Sequence, residues 1–181
     1  LIHGRDLRSI PAQELHKMFG VVFQNDFLFG GTLADNIDFG RDLGRDALQK
    51  AAQNAQAEFI ETRPGGLDGH IAARGSDLSG GQKQRVLLSR AMAGSPEILI
   101  LDDSSSALDY KTDAALRRAL AHEFAGVTKV IVAQRVSAIR HADCILMLDE
   151  GCVIGQGRHE ELMQNCPAYR TIAEAQMGEV E

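Results

Sequence analysis

The chain is predicted to fold as an α/β domain, a parallel-sheet core with an inserted helical block, on three observations. Ile98-Leu99-Ile100-Leu101 is an unbroken apolar run that ends in Asp102-Asp103. That is the pattern of a strand buried on both faces, delivering carboxylates to the crevice at its C-terminal end. Strand-like and helix-like segments alternate around it, which implies crossover connections and a parallel sheet. Between Thr32 and Gly94 the alternation gives way to helical periodicity. Residues 1–26 and 95–181 are therefore read as core pieces and residues 27–94 as a helical subdomain.

Each element has its own reason. Leu1–Ile2 and Phe19–Phe23 are strand-like. Ala47, Leu48, Ala51, Ala52, Ala55, Phe59 and Ile60 recur at helical spacing until Arg63-Pro64-Gly65-Gly66 stops them. Gln82 to Ala93 forms the next helix, with Gly94 as its C-terminal stop. After the Ile98–Leu101 strand comes a helix at Asp113–Phe124, with Leu116, Leu120 and Phe124 on one face. Lys129–Ala133 is a strand. Cys144–Leu148 and Cys152–Ile154 form a hairpin about the turn Asp149-Glu150-Gly151. Helices at His159–Asn165 and Tyr169–Met177 close the chain.

Bulk properties narrow the function. At 181 residues the chain can bury a substantial core. A formal charge of −6 gives no support for a nucleic-acid surface. Cys144, Cys152 and Cys166 show no metal-ligand spacing, so buried or half-buried reduced thiols are the simpler reading. The six histidines form no metal-like cluster, and no apolar run reaches the roughly 18 residues of a membrane span. The chain opens on Leu1 in what reads as mid-domain, and is taken as a fragment.

Two segments carry chemistry. Ser79-Gly80-Gly81, inside Leu78–Gln82, leaves bare backbone amides at a helix start, where the helix dipole favours an anion. A helix N-cap alone accounts for the serine but not for the glycine pair. About twenty residues on, Asp102 ends the apolar strand, where it could hold a magnesium ion or simply cap a turn.

Four ordered motifs make the chain resemble the nucleotide-binding domain of ATP-binding cassette (ABC) transporters. Gln24 in Val-Val-Phe-Gln-Asn resembles the Q-loop, Leu78–Gln82 the signature motif, Ile98–Asp102 the Walker B strand and Ser106-Ala107-Leu108-Asp109 the D-loop. The resemblance implies a P-loop NTPase (RecA-like) core, truncated at its N-terminus, with ATP and Mg2+ as ligands. It implies ATP or phosphate contacts from Gln24, Ser79, Gly80, Gly81, Gln82 and Asp109, and metal contacts from Asp102 and Gln24. It further implies a second nucleotide-binding domain as partner, a membrane domain in the same full-length chain, and a place at the cytoplasmic face of the cell membrane. The phrases Gly31-Thr32-Leu33-Ala34-Asp35-Asn36-Ile37, Arg74-Gly75 and His159-Glu160-Glu161-Leu162 are similar to those of exporters.

The sequence departs from the family pattern in three ways. No Gly-x-x-x-x-Gly-Lys-Ser/Thr loop is present, so the 181 residues alone are expected to bind ATP poorly. The position after Walker B, where the family usually has a water-polarising glutamate, holds Asp103. The usual switch histidine is replaced by Gln134, which cannot become cationic. Asp103 and Gln134 are the catalytic candidates, and together they resemble the weakly hydrolysing subunit of heterodimeric exporters. In that geometry the intact signature completes the partner's site.

Three alternatives stand beside this reading. DNA-repair and chromosome ATPases share these motifs but interpose a long coiled coil, and only residues 25–78 separate Gln24 from Ser79. Soluble ABC proteins acting on ribosomes usually carry two cassettes in one chain. An inert remnant of a nucleotide domain is the third.

Overall fold

The computed structural model describes residues 1–178, in two compact units, 1–132 and 133–178. The first opens with a tight turn, not the strand expected at Leu1–Ile2. Ile2 and Arg5 exchange both backbone hydrogen bonds at 2.9 Å, and Gly4 at φ +75° supplies the reversal. A 3-10 turn (Leu7–Ser9) and helix α1 (Ala12–Met18) lead into β1 (Phe19–Val22).

The predicted helical block is mostly helix, with one addition. Two-residue strands β2 (Gly31–Thr32) and, further on, β3 (His70–Ile71) pair antiparallel within it. Between them lie α2 (Leu33–Asp38), α3 (Arg45–Asn54) and α4 (Phe59–Thr62). The single helix expected across Ala47–Ile60 is thus two. Its break is a Schellman-type end: Ala57 N–H donates to Ala52 O at 2.8 Å, with Gln56 at φ +59°. Glutamine there gives no sequence signal, since the position usually announces itself with glycine. Leu48, Ala51, Ala52, Ala55 and Ile60 are buried as expected, whereas Ala47 is exposed.

Helix α5 (Gly80–Met92) then leads to β4 (Ile98–Asp102), α6 (Tyr110–His122) and β5 (Thr128–Val132). Strand β4 is central, parallel to β1 on one side and to β5 on the other. Leu99 and Leu101 are fully buried; Leu116 and Leu120 of α6 are buried on the expected face, and Phe124 is buried two residues past the helix, which ends at His122 and not at Phe124 as expected. Gly94, at φ +81°, turns the chain just past α5.

The second unit contains α7 (Val136–Ile139), β6 (Ile145–Asp149), β7 (Cys152–Gly157), α8 (His159–Asn165) and α9 (Pro167–Gly178). β6 and β7 form the expected hairpin, with both turn residues at positive φ (Glu150 +45°, Gly151 +78°), as a type I′ turn demands. Its own core gathers Val136, Ile145, Leu162, Cys166, Tyr169 and Ala173. Cys166 is buried, while Cys144 and Cys152 are exposed free thiols. No helix among the described residues is long and apolar enough to cross a membrane.

Candidate functional site

Parallel pairing of β1 with β4 puts three candidate residues at the C-terminal end of the sheet. Val22 is paired with Leu101, so Gln24 leaves β1 beside the Asp102-Asp103 end of β4. Gln24 is exposed, and Asp102 and Asp103 are half-buried. Asp103 is left-handed, at φ +48°, a conformation that aspartate tolerates better than most residues. It is fixed on both sides: its N–H donates to Val132 O at 2.9 Å, and its carbonyl accepts from Ser106 Oγ at 3.1 Å. The chain therefore turns sharply where the carboxylates emerge, and Asp103 departs from the strand direction set by Asp102.

The Ser79–Gln82 segment forms the N-terminus of α5. Ser79 Oγ accepts from Gln82 N–H at 3.3 Å, and Gln82 Oε1 accepts from Ser79 N–H at 2.9 Å. This reciprocal box uses both side chains, but Gly80 and Gly81 stand at the first two helical positions, whose amides have no intrahelical acceptor. The glycine pair has a second role. A Cβ on Gly81 would lie 3.1 Å from Ala107 O, so its absence lets α5 approach the 106–109 loop closely. That loop ends at Asp109, which caps α6 by accepting from Thr112 N–H at 2.9 Å and Thr112 Oγ1 at 2.7 Å. The bonds from the Thr112 backbone and hydroxyl hold the Asp109 carboxyl below its ordinary range.

Gln134 is exposed at the start of the second unit, two residues before the first residue of α7. Its carbonyl accepts from Gln176 Nε2 at 2.9 Å, and Gln176 Oε1 accepts from Val136 N–H at 2.8 Å. Gln176 of α9 thus clamps both sides of Arg135. Sequence reading missed this residue, because a glutamine on a terminal helix carries no local mark of a partner some forty residues back.

A denser polar cluster that sequence reading also missed lies behind Gln24. Arg90, buried on α5, donates from Nε to Asn36 O at 2.8 Å, from Nη1 to Phe27 O at 3.1 Å and from Nη2 to Asn36 Oδ1 at 3.2 Å. Its guanidinium lies 3.5 Å from Asp26 Oδ1, and over the rings of Phe39 (4.6 Å) and Phe29 (5.6 Å). Burial pulls its pKa down, Asp26 opposes that, and Arg41 adds to it. Phe27, Phe29 and Phe39 remain about half exposed and touch edge-to-face and stacked, leaving an aromatic face beside the loop. Arg74, at φ +58°, donates its N–H to Leu28 O at 3.0 Å, which ties the segment before Ser79 to the same loop.

Among the described residues, no three histidine, cysteine, aspartate or glutamate side chains gather into a metal cluster. The oxygen donors at the C-terminal end of the sheet, the Asp102 carboxylate and the Gln24 amide, suit a magnesium ion that keeps waters and phosphate oxygens in its remaining positions.

Residues 1–106 match the family described as ABC transporter. The chain belongs to the ABC transporter family. Among curated ABC relatives, the ATP-dependent lipid A-core flippase of Vibrio cholerae is 40% identical over 181 residues, covering 98% of this chain and 31% of the relative. Human ATP-binding cassette sub-family B member 6 is 38% identical over 182 residues, covering 99% of this chain and 22% of the relative. The solved structure of a bacterial Atm1-family ABC exporter with ATP bound superposes with a TM-score of 0.90 at 35% identity, covering 98% of this chain and 32% of that one. The mixed α/β architecture with its parallel sheet is therefore an ABC exporter nucleotide-domain fold. The chain spans no more than about a third of the length of these relatives.

Proposed function

We propose that the chain is the ATP-handling part of an ABC exporter whose own nucleotide site turns over slowly, and whose signature completes a faster site on a partner domain. The observation that carries this is Asp103. It stands directly after Asp102 at the exit of β4, where the family pattern has glutamate, while the Ser79–Gln82 helix start is fully formed. In this reading Asp102 and Gln24 would hold Mg2+, which would supply charge neutralisation to the phosphates. Asp103 orients the attacking water and accepts its proton. Its side chain is one methylene shorter than glutamate, and a misplacement of about 1 Å costs on the order of 10²-fold in rate. Gln134 donates a neutral hydrogen bond to a phosphate oxygen where histidine could offer a charged one.

The signature acts across the interface. The Gly80 and Gly81 amides, backed by the positive end of α5 and the Ser79 hydroxyl, would meet the terminal phosphate of the ATP bound to the partner. Asp109, fixed as the N-cap of α6 just after the Ala107–Leu108 pair that packs on the two glycines, would cross between the two sites. The membrane domain is the other partner. The exporter-like phrase Gly31–Ile37 and the aromatic face of Phe27, Phe29 and Phe39 beside it support a docking place for its cytoplasmic loops.

In the full-length pair, Asp103→Glu with Gln134→His should raise hydrolysis at the slow site by one to two orders of magnitude, about the loss attributed above to misplacement. Site-resolved trapping of ATP and ADP would read it. No gain at that site would sink the asymmetric reading while leaving membership of the family untouched.

A further inference from the structure

We infer that Arg90 is a positioning residue for the ATP chemistry: its buried fork ties the loop that follows Gln24 to the helix that begins at the signature, so that the two nucleotide positions served by this chain respond together. The inference rests on the reading given under Proposed function, because it takes Gln24 and Ser79 to face different ATP molecules.

The geometry is specific to an arginine. Three of its nitrogens reach three different oxygens, at Asn36 O, Phe27 O and Asn36 Oδ1, while its flat face lies over Phe39 and Phe29. Asn36 carries the grip onward: its Oδ1 accepts from Phe29 N–H at 2.9 Å, and its Nδ2 donates to Phe29 O at 3.1 Å. Asp26 closes the other end, accepting from Phe27 N–H at 2.8 Å while facing the guanidinium. The segment 26–29 is thus held from outside by a side chain of α5. Because α5 is one uninterrupted helix from Gly80 to Met92, a tilt at its signature end reaches Arg90 as a rigid displacement. Beside Arg90, at Ala91, the helix backbone touches β1 at Gly20, so the strand leading to Gln24 rests on the same helix. Lysine would keep the charge but could neither fork nor stack.

Arg41 provides the contrast. It is half-buried and also multiply bonded, but to Ile37 O, Asp38 O, Arg90 O and Ala93 O. All four are carbonyls at or near the ends of α2 and α5. None belongs to the loop after Gln24.

The test uses the full-length exporter with its partner in lipid, measuring ATPase rate against ATP concentration alongside thermal unfolding. Arg90→Lys should raise KM for ATP about tenfold and bring the Hill coefficient down to about one, the scale of an ordinary coupling between sites. Arg41→Lys should lower the melting temperature by a similar amount, with KM and Hill coefficient unchanged within about twofold. KM rising in step with lost stability in both variants, or unchanged in Arg90→Lys, would overturn the inference. If Arg90→Lys does not fold, Asp26→Asn, which keeps the fork and its packing, decides: a KM increase of about threefold supports it and an unchanged KM overturns it. Failure of the unaltered exporter to bind ATP would instead refute the functional reading, and the inference with it.

Discussion

Asp109 and Ser79 each carry a structural role beside the proposed functional one, and the two can be separated. Asp109 caps α6 through Thr112, whatever else it does, and the bonds that make the cap hold its carboxyl below the ordinary range. A depressed carboxyl stabilises the fold above its unfolded pKa of about 3.9 and loses that contribution as pH falls through the folded value. Asn is an equally good cap without the charge. The melting temperature of Asp109→Asn should therefore lie below that of the unaltered chain at pH 7, and the gap should close below about pH 4. Ser79 divides in the same way. Removing its hydroxyl in Ser79→Ala should cost about 1 kcal/mol of stability as a lost cap, read by chemical denaturation of the isolated chain. Any further loss in full-length turnover would report the partner's ATP. A stability loss with no loss of turnover would leave the hydroxyl as a cap alone.

At the scale of elements, the strongest constraint is the contact between β1 and α5. A Cβ on Gly20 would stand 2.0 Å from the Ala91 carbonyl oxygen and 2.8 Å from Leu99 Cδ2, and backbone cannot swing aside as a side chain can. Gly20→Ala should destabilise by about 3 kcal/mol, the upper range of overpacking, whereas Gly126→Ala, with open space around it, should change stability by less than about 0.5 kcal/mol. Equal effects at the two positions would contradict the close approach. The same elements show what sequence can reveal. β4 and the β6–β7 hairpin were legible because their signals are local: an apolar run for one, and a turn that needs two residues at positive φ for the other. The β2–β3 ribbon was not, since two residues per strand carry no periodicity. Nor was the break after α3, where glutamine takes a glycine's place. At the candidate site, the Ser79 cap and the carboxylates ending β4 could be read from neighbours in sequence. Arg90 and Gln176 could not, since their partners lie some forty to sixty residues away and only the fold brings them close.

At the scale of the whole chain, the question is how much of an ATP site these residues make. The C-terminal end of the sheet offers a carboxylate and an amide that, in the proposed reading, would hold a metal. The start of α5 supplies anion-binding amides, but in the proposed pairing these face the partner's nucleotide. Nothing in the 181 residues matches the glycine-rich lysine loop that wraps the β- and γ-phosphates, and the net charge of −6 offers no general attraction for a polyanion. Each anchor the chain does contribute is worth only a part of a nucleotide's affinity. Calorimetry on the isolated chain with MgATP should accordingly give a Kd weaker than about 1 mM. The full-length protein paired with its partner should bind far more tightly and trap nucleotide at the slow site. A low-micromolar, magnesium-dependent Kd for the isolated chain would show that its own residues wrap the phosphates, and would overturn the division of labour in which Leu78–Gln82 serves the ATP of another domain.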